Sequence, residues 1–298
     1  MSKRLVVGTS CGSLYLAPER YQDKEIKIIP MGLIFKGVEY RETTVDPVAY
    51  YKELENLKNP KENLPRSAMP KMEDIIEIFD YAVENKYDEM IIVCLSSYLS
   101  GTYSLLQNFA KDYEDKIKVT VVDSKICFFP EGYLCYLAKK LVDKGVPTEE
   151  IIKELEWVKK THQIMGIDAK LDYLIYNGRL KGGKAFMGKM LQICPLVGFD
   201  RDGVLNSIRT VRTPKKALHE LCKEILPIIG DRSPEDYLLY HVYTGEETLN
   251  DLKEIEKEYN IKVNHEDVMV SPAPGSANGP WLAGYGLSFI RREDEPLE

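Results

Sequence analysis

Residues 94–103 read Cys94-Leu95-Ser96-Ser97-Tyr98-Leu99-Ser100-Gly101-Thr102-Tyr103. An apolar run precedes this stretch and predicts a buried strand, and the apolar positions Leu105, Leu106 and Phe109 predict a helix after it. In α/β sheets, ligands bind where a strand leads through a turn into a helix. Free N–H groups at the helix start favour an anion, and serine hydroxyls donate to its oxygens. The stretch predicts an anion-binding turn, although a plain polar helix cap explains the same residues equally well.

Strands and helices alternate on both sides of this turn in the first half of the chain. Short runs rich in Ile and Val predict strands at 5–7, 26–35, 90–95 and 117–123. Apolar residues at helical spacing predict helices at 72–84, 131–144 and 148–160. Such alternation predicts an α/β domain, in which helices cover both faces of a mostly parallel sheet.

The second half predicts a further α/β domain with a partly antiparallel sheet. Its predicted strands are 163–167, 193–199, 204–210, 237–243, 261–270 and 284–290, and its predicted helices lie near 185–192, 214–228 and 246–259. Arg201-Asp202-Gly203 is a hairpin turn signal between two of these strands. Because 298 residues exceed most single hydrophobic cores, we predict two domains, 1–160 and 161–298.

Composition and charge exclude several classes of function. The formal net charge of -7 argues against a nucleic-acid-binding protein. The sequence has no apolar run long enough to span a membrane, and its first residues lack the apolar core of a signal peptide. Six cysteines without a CxxC pair indicate reduced thiols, and the scattered histidines predict no metal site. We therefore expect a soluble cytoplasmic protein.

Ser100 also suggests an enzyme as an alternative. Such an enzyme would act on a small acylated or phosphorylated compound, with Ser100 as the nucleophile or hydroxyl acceptor. A nucleophilic serine needs a general base within reach, usually a histidine oriented by an acid. The sequence has no GxSxG motif and no histidine with an evident partner acid, so we predict no catalytic residue.

Short segments along nearly the whole chain resemble the bacterial DegV family. LSSYLSGTY at 95–103 is similar to that family's LSSxLSGTY. The other similar segments, in chain order, are Val7-Gly8-Thr9-Ser10, Ile29-Pro30-Met31, Lys36-Gly37-Val38-Glu39-Tyr40, Ser67-Ala68-Met69-Pro70, Val122-Asp123-Ser124-Lys125, Asn177-Gly178-Arg179-Leu180 and Val211-Arg212-Thr213. Each segment is modest evidence alone, and their order makes the resemblance specific.

The resemblance implies a DegV-like two-domain fold that binds a long-chain fatty acid in a tunnel between the domains, without a cofactor. In fatty acid kinase systems, such a subunit presents the carboxylate to a separate ATP-dependent kinase subunit. A regulatory module that binds a lipid signal would need the same tunnel. The family's two carboxylate-binding hydroxyls match Ser67 and Ser100, and its arginines near the tunnel mouth match Arg179 and Arg212. The expected supporting head-group residues are Ser97, Gly101, Thr102, Ser276 and Asn278.

Six apolar residues are candidates for the tunnel lining, and the chain departs from the family pattern at three positions. Candidate lining residues are Phe128, Phe129, Phe186, Met187, Met190 and Leu191. Thr9 stands where the family has an acid, and Ala277 stands where it has a histidine beside the carboxylate. Trp281 replaces a small residue, which predicts a narrower tunnel. Ser276 or Asn278 would then supply a neutral donor in place of the histidine.

Overall fold

The computed structural model describes residues 4–58 and 63–292, and the side chains of Met187 and residues 189–192 lie outside that description. The strands are β1 Leu5–Thr9, β2 Lys27–Ile28, β3 Gly32–Phe35, β4 Val38–Arg41, β5 Arg66–Ala68, β6 Glu89–Cys94, β7 Lys118–Asp123, β8 Gln163–Asp168, β9 Cys194–Phe199, β10 Leu205–Val211, β11 Tyr237–Tyr243, β12 Val268–Met269 and β13 Leu282–Phe289. The α-helices are α1 Pro47–Glu55, α2 Met72–Glu84, α3 Thr102–Asp112, α4 Phe129–Asp143, α5 Thr148–Thr161, α6 Asp172–Asn177, α7 Pro214–Ile229, α8 Glu246–Ile255 and α9 Pro272–Gly275.

The first half contains the parallel sheet that the alternation predicts. Its strand order is β2-β1-β6-β7, and every neighbouring pair is parallel. Every residue of β6 is buried because helices cover both faces of this sheet. Ile75 of α2 and Leu106 of α3 pack in one buried cluster, and Leu134 of α4 belongs to another. This layering confirms the predicted α/β architecture.

The second half contains a six-stranded sheet in the order β10-β9-β8-β13-β11-β12. Its neighbouring strands are antiparallel except for the β11–β12 pair. The hairpin predicted at Arg201-Asp202-Gly203 joins β9 to β10, with Gly203 at a φ of 87° that favours glycine. The partly antiparallel second sheet is therefore also confirmed.

Two predicted strands were wrong in extent. The segment 26–35 is broken at Pro30, which has no N–H to donate, so β2 joins the parallel sheet and β3 joins a small sheet of order β4-β3-β5. In 261–270 only Val268–Met269 is a strand. There the Leu239 N–H donates to the Asn264 side chain instead of to a backbone carbonyl, so a regular ladder does not continue.

A helix is present at the predicted position 185–192. The segment Gly183–Gln192 is a 3-10 helix. Gly182 precedes it with a positive φ, and Gly183 and Gly188 lie inside it. Glycine disfavours an α-helix because fixing its backbone costs more conformational entropy than fixing other residues.

The ends of the parallel strands face the second sheet. The largest buried cluster contains Val7 and Phe129 together with Ile164, Tyr240 and Leu282, so it extends across both halves of the chain. The Ser96 hydroxyl donates a 2.6 Å hydrogen bond to the Gly203 carbonyl, which ties the serine-rich turn to the β9–β10 hairpin. The domain division at residue 160 stays a prediction. No helix in the described ranges has the length and apolar character needed to span a bilayer.

Candidate functional site

A cavity lies where the turns after β6 and β7 meet the six-stranded sheet. Most of its lining is apolar and comes from elements far apart in the sequence. The lining residues are Met31, Ser67, Leu95, Leu99, Ser100, Cys127, Phe128, Ile164, Met165, Gly166, Leu174, Arg179, Val197, Gly198, Phe199, Leu205, Val242, Pro274, Ala277, Asn278 and Leu282.

A polar surface depression adjoins this cavity. Four residues line both spaces, namely Ser67, Leu99, Ser100 and Arg179. The other residues around the depression are Ala68, Met69, Ser97, Tyr98 and Gly101. The two predicted carboxylate-binding serines therefore lie together, at the boundary between an apolar enclosure and an open polar surface.

Ser100 lies in the turn that ends at the start of α3. Its Oγ is 2.8 Å from the Oγ1 of Thr102 and accepts a 3.3 Å hydrogen bond from the Thr102 N–H. Thr102 is buried, and its hydroxyl also approaches the Met31 sulfur at 3.6 Å. Thr102 does not border the cavity, so it holds the Ser100 hydroxyl from behind.

Ser67 approaches the cavity from β5, where its Cα pairs with Leu33 of β3. The side chain is half-buried, and its hydroxyl forms no hydrogen bond with any residue in the described ranges. It keeps its full capacity to donate to a ligand oxygen.

The other head-group candidates differ in which of the two spaces they border. Ser97 and Gly101 border the depression but not the cavity. Ser276 borders neither space and donates its hydroxyl to the Ala273 carbonyl at 2.6 Å. Asn278 does line the cavity, and its Nδ2 donates to the Asp168 Oδ2 at 3.0 Å. Of Ser276 and Asn278, only Asn278 is placed to contact a ligand.

The departures at 277 and 281 have different surroundings. Ala277 lines the cavity, at the place where the resemblance leads one to expect a histidine. Trp281 does not border the cavity; its ring packs against Tyr173, with ring centroids 6.1 Å apart, and under the Lys170 ammonium. The Trp281 ring therefore does not narrow this space.

The two candidate arginines lie apart. Arg179 is exposed at the boundary of both spaces, and its Nη1 donates to the Asn177 carbonyl at 2.9 Å. Arg212 is exposed but borders neither space. Arg212 follows the last residue of β10, whereas Leu205, which lines the cavity, is the first residue of that strand. A strand of seven residues is about 20 Å long, so the two positions are about that far apart.

The predicted apolar lining was correct only in part. Phe128 lines the cavity, but Phe129 points into the core, where its ring packs edge-on against Tyr21 and Tyr240. Phe186 is half-buried beside the cluster that contains Leu174 and Leu205. The side chains of Met187, Met190 and Leu191 lie outside the described residues.

Sequence reasoning missed the lining that comes from the six-stranded sheet. Gly166 of β8 and Gly198 of β9 both border the cavity. Glycine inside a strand often marks a place where a ligand or another backbone comes close. That signal was available in the sequence, although it does not say which strands are neighbours.

Several acids are buried in the described part of the chain. Burial raises the pKa of Asp168 well above its usual range, and it raises the pKa of Glu42 to about 7. Burial likewise raises the pKa of Glu131, which accepts a 2.8 Å hydrogen bond from the Ser10 hydroxyl. Within the part of the chain that the structure describes, no group of three acid, histidine or cysteine side chains could hold a metal ion.

Comparisons with known proteins agree on one family. A family model described as an uncharacterised protein of the DegV family matches residues 10–288. A DegV domain-containing protein of Clostridium acetobutylicum is 28% identical over 272 residues, which cover 91% of this chain and 94% of the relative.

Two solved structures share the fold over nearly the whole chain. The crystal structure of a fatty acid binding DegV family protein from Streptococcus agalactiae has a TM-score of 0.85 at 20% identity, covering 97% of this chain and 100% of that one. The crystal structure of DegV, a fatty acid binding protein from Bacillus subtilis, has a TM-score of 0.80 at 25% identity, with the same coverage.

Proposed function

Because this chain belongs to the DegV family, we propose that it binds a long-chain fatty acid non-covalently in the cavity described above. One observation carries the proposal: Ser67 and Ser100 line both the apolar cavity and the polar depression. A fatty acid needs an apolar enclosure for its chain and hydrogen-bond donors for its carboxylate. The boundary between the two spaces offers both.

The apolar cavity supplies the binding energy in this proposal. A chain of about 14 methylenes gains on the order of 10 kcal/mol on leaving water, before the costs of association. The wall contains flexible side chains such as Met31 and Met165, which adapt to an acyl chain. Relatives of this fold from Streptococcus agalactiae and Bacillus subtilis are named as fatty acid binding proteins.

The head-group end supplies orientation. Ser67 and Ser100 donate to the carboxylate, and the N-terminus of the eleven-residue helix α3 adds a favourable dipole beside Ser100. Arg179 brings a positive charge to the same boundary. A carboxylate held there would lie next to the open depression, where a separate kinase subunit could reach it.

We propose a binding role without catalysis by this chain. The hydrogen-bond partner of the Ser100 hydroxyl is Thr102, and in the described ranges no histidine, lysine or acid is bonded to that hydroxyl. A nucleophilic serine needs such a base. The bound acid would therefore keep its free carboxyl group until a partner protein modifies it.

Mass spectrometry of the purified chain tests this proposal. Under native conditions the protein should carry an added mass equal to one fatty acid, and denaturing conditions should return the bare polypeptide mass. Organic extraction should release the free acid. An acyl adduct that persists after denaturation and maps to Ser100 would replace the carrier proposal with the enzyme alternative, and the absence of any lipid after expression and after reloading would reject both.

A further inference from the structure

A buried acid stands directly behind the cavity wall. Asp168 is the last residue of β8 and has no exposed surface, and Asn278 is 5% exposed and lines the cavity. The Asn278 Nδ2 donates to the Asp168 Oδ2 at 3.0 Å. The second oxygen of Asp168, Oδ1, has no hydrogen-bond partner in the described part of the chain.

The surroundings of Asp168 disfavour a negative charge. No lysine or arginine in the described ranges forms an ion pair with Asp168, and the Cys194 thiol donates to its backbone carbonyl at 3.5 Å. An ionised carboxylate that is fully buried with one oxygen unpaired carries a large desolvation cost. Burial accordingly raises the pKa of Asp168, and only the hydrogen bond from Asn278 acts in the opposite direction.

The backbone around Asn278 is fixed, so its amide has little freedom to find another partner. Its N–H donates to the Gly275 carbonyl at 3.0 Å. The next residue, Gly279, has a φ of 71° and lies so close to Tyr173 that a Cβ there would be 2.6 Å from the ring. A carboxamide has two N–H donors and one acceptor oxygen, and Asp168 takes one of those donors.

We propose that Asp168 is a protonated, neutral positioning residue that orients the Asn278 amide, so that its remaining N–H contacts the carboxyl group of the bound acid. This inference rests on the proposed fatty-acid binding and deepens it, because it assigns a third donor to the head group. Because Asp168 is neutral, it does not repel the anionic ligand, even though it lies directly behind the cavity wall.

Substitutions at positions 168 and 278 distinguish a neutral Asp168 from an ionised one. Asp168→Asn preserves the shape and the acceptor oxygen of a protonated acid, so it should leave the affinity for hexadecanoic acid within about twofold of the original. Asp168→Ala and Asn278→Ala each remove one member of the pair and should weaken binding about 5- to 10-fold. The double alanine variant should be no weaker than the worse single variant, because both changes break the same contact.

The Asn278→Asp variant gives a second test, and unlike the alanine variants it leaves no empty space behind the cavity wall. It places two carboxyl groups next to each other, which then share one proton. Affinity should fall by about 10-fold or more as the pH rises from about 5 to about 8, whereas Asp168→Asn should follow the pH profile of the unmodified protein. Arg179, the charged residue of the cavity wall, is unchanged in every variant.

Calorimetric titration of each delipidated variant with hexadecanoic acid measures these effects, and thermal unfolding identifies any variant that does not fold. Conserved affinity in Asp168→Asn with loss in Asp168→Ala supports the proposal. Tighter binding by Asp168→Asn would show that Asp168 is ionised, and unchanged affinity in Asn278→Ala would show that the amide does not contact the ligand; either result overturns it. If the unmodified protein does not bind the acid, the proposed function itself fails, which is a different outcome.

Discussion

The hydroxyls of Ser67 and Ser100 reach one cavity from two separate elements. Ser67 lies on the short strand β5, and Ser100 lies in the turn before α3. Thr102 supports Ser100 through a 2.8 Å contact between their hydroxyls, and Ser67 has no competing partner in the described ranges. Both hydroxyls can therefore donate to the two oxygens of one carboxylate, in a wall that is otherwise largely apolar.

Removing either hydroxyl should weaken fatty-acid binding. We expect Ser67→Ala and Ser100→Ala each to cost about 1–3 kcal/mol of binding free energy, because each deletes a donor to a partly buried carboxylate. The double variant should cost less than the sum of the two, since neighbouring contacts are rarely additive. Calorimetric titration with hexadecanoic acid measures the effect, and Ser104→Ala, an exposed serine on α3, is the matched control. Full affinity in the double variant would mean that the carboxylate lies elsewhere.

A histidine at position 277 should tighten binding in acid. Ala277 is half-buried at the cavity wall, and Trp281 lies away from that wall against Tyr173. Ala277→His would therefore place an imidazole beside the head group, where its cationic form makes a charge-assisted hydrogen bond to the carboxylate. Affinity should rise as the pH falls below about 6.5. The same variant titrated above that pH serves as its own control, and weaker binding at both values would instead indicate overpacking of the loop.

A charged network holds several elements of the second half together. His241 of β11 contacts the Asp267 carboxylate through Nδ1 at 2.6 Å and the Glu256 carboxylate through Nε2 at 2.9 Å. The Tyr285 hydroxyl of β13 donates to Glu256 at 2.8 Å, and Lys253 of α8 donates to Asp267 at 2.5 Å. The imidazole therefore bridges two carboxylates that also contact strand β13 and helix α8.

Stability should depend on His241 most strongly at mildly acidic pH. Burial opposes the imidazolium, but the hydrogen bonds to Asp267 and Glu256 outweigh it and raise the pKa of His241. Because the folded-state pKa exceeds the unfolded value of about 6.5, this stabilisation is complete below that pH and is lost as the pH rises through the folded value. His241→Gln should lower the free energy of unfolding by about 3 kcal/mol near pH 6 and by less near pH 9.

His265 offers a control with the opposite sign. Burial, together with the nearby Arg20 guanidinium, lowers the pKa of His265. Its neutral form is favoured in the fold, so the cost of His265→Gln should shrink as the pH falls below about 6.5. Urea unfolding of both variants at the two pH values measures the slopes. Equal costs of His241→Gln at both values would contradict the role of the charged network.

In the whole molecule, both sheets take part in forming the cavity. The strand ends of the parallel sheet and the face of the six-stranded sheet both contribute to the cavity wall, and the Ser96–Gly203 hydrogen bond joins them beside it. A ligand in this place contacts both halves of the chain. Ligand binding should therefore stabilise the molecule as a unit.

Saturating fatty acid should raise the melting temperature of the delipidated protein. A ligand at about 1,000 times its dissociation constant adds about 4 kcal/mol to the free energy of unfolding, which corresponds to a shift of roughly 6–7 °C for a chain of this size. Differential scanning calorimetry with acids from dodecanoic to octadecanoic measures the shift and identifies the preferred length. The Ser67→Ala, Ser100→Ala double variant should show a smaller shift, and no shift with any acid would argue against the cavity as a fatty-acid site.

The sequence by itself determined the features that repeat locally. Apolar spacing identified the parallel strands and their helices, because the period of a strand or helix is written in consecutive residues. The serine-rich turn was recognisable for the same reason, since strand, turn and helix start follow one another within residues 94–103. Pro30 ends one predicted strand early because it has no N–H, and this property belongs to the single residue and is therefore visible in the sequence.

Only the tertiary structure decided which distant residues meet. Strand order put Gly166 and Gly198 in the cavity wall, and it put Arg179 at the boundary while Arg212 lies at the far end of β10. The contact between Asp168 and Asn278 joins positions 110 residues apart. The spacing of apolar residues along the chain does not indicate such contacts. They arise from the order in which strands pair and from the burial that removes water from both partners.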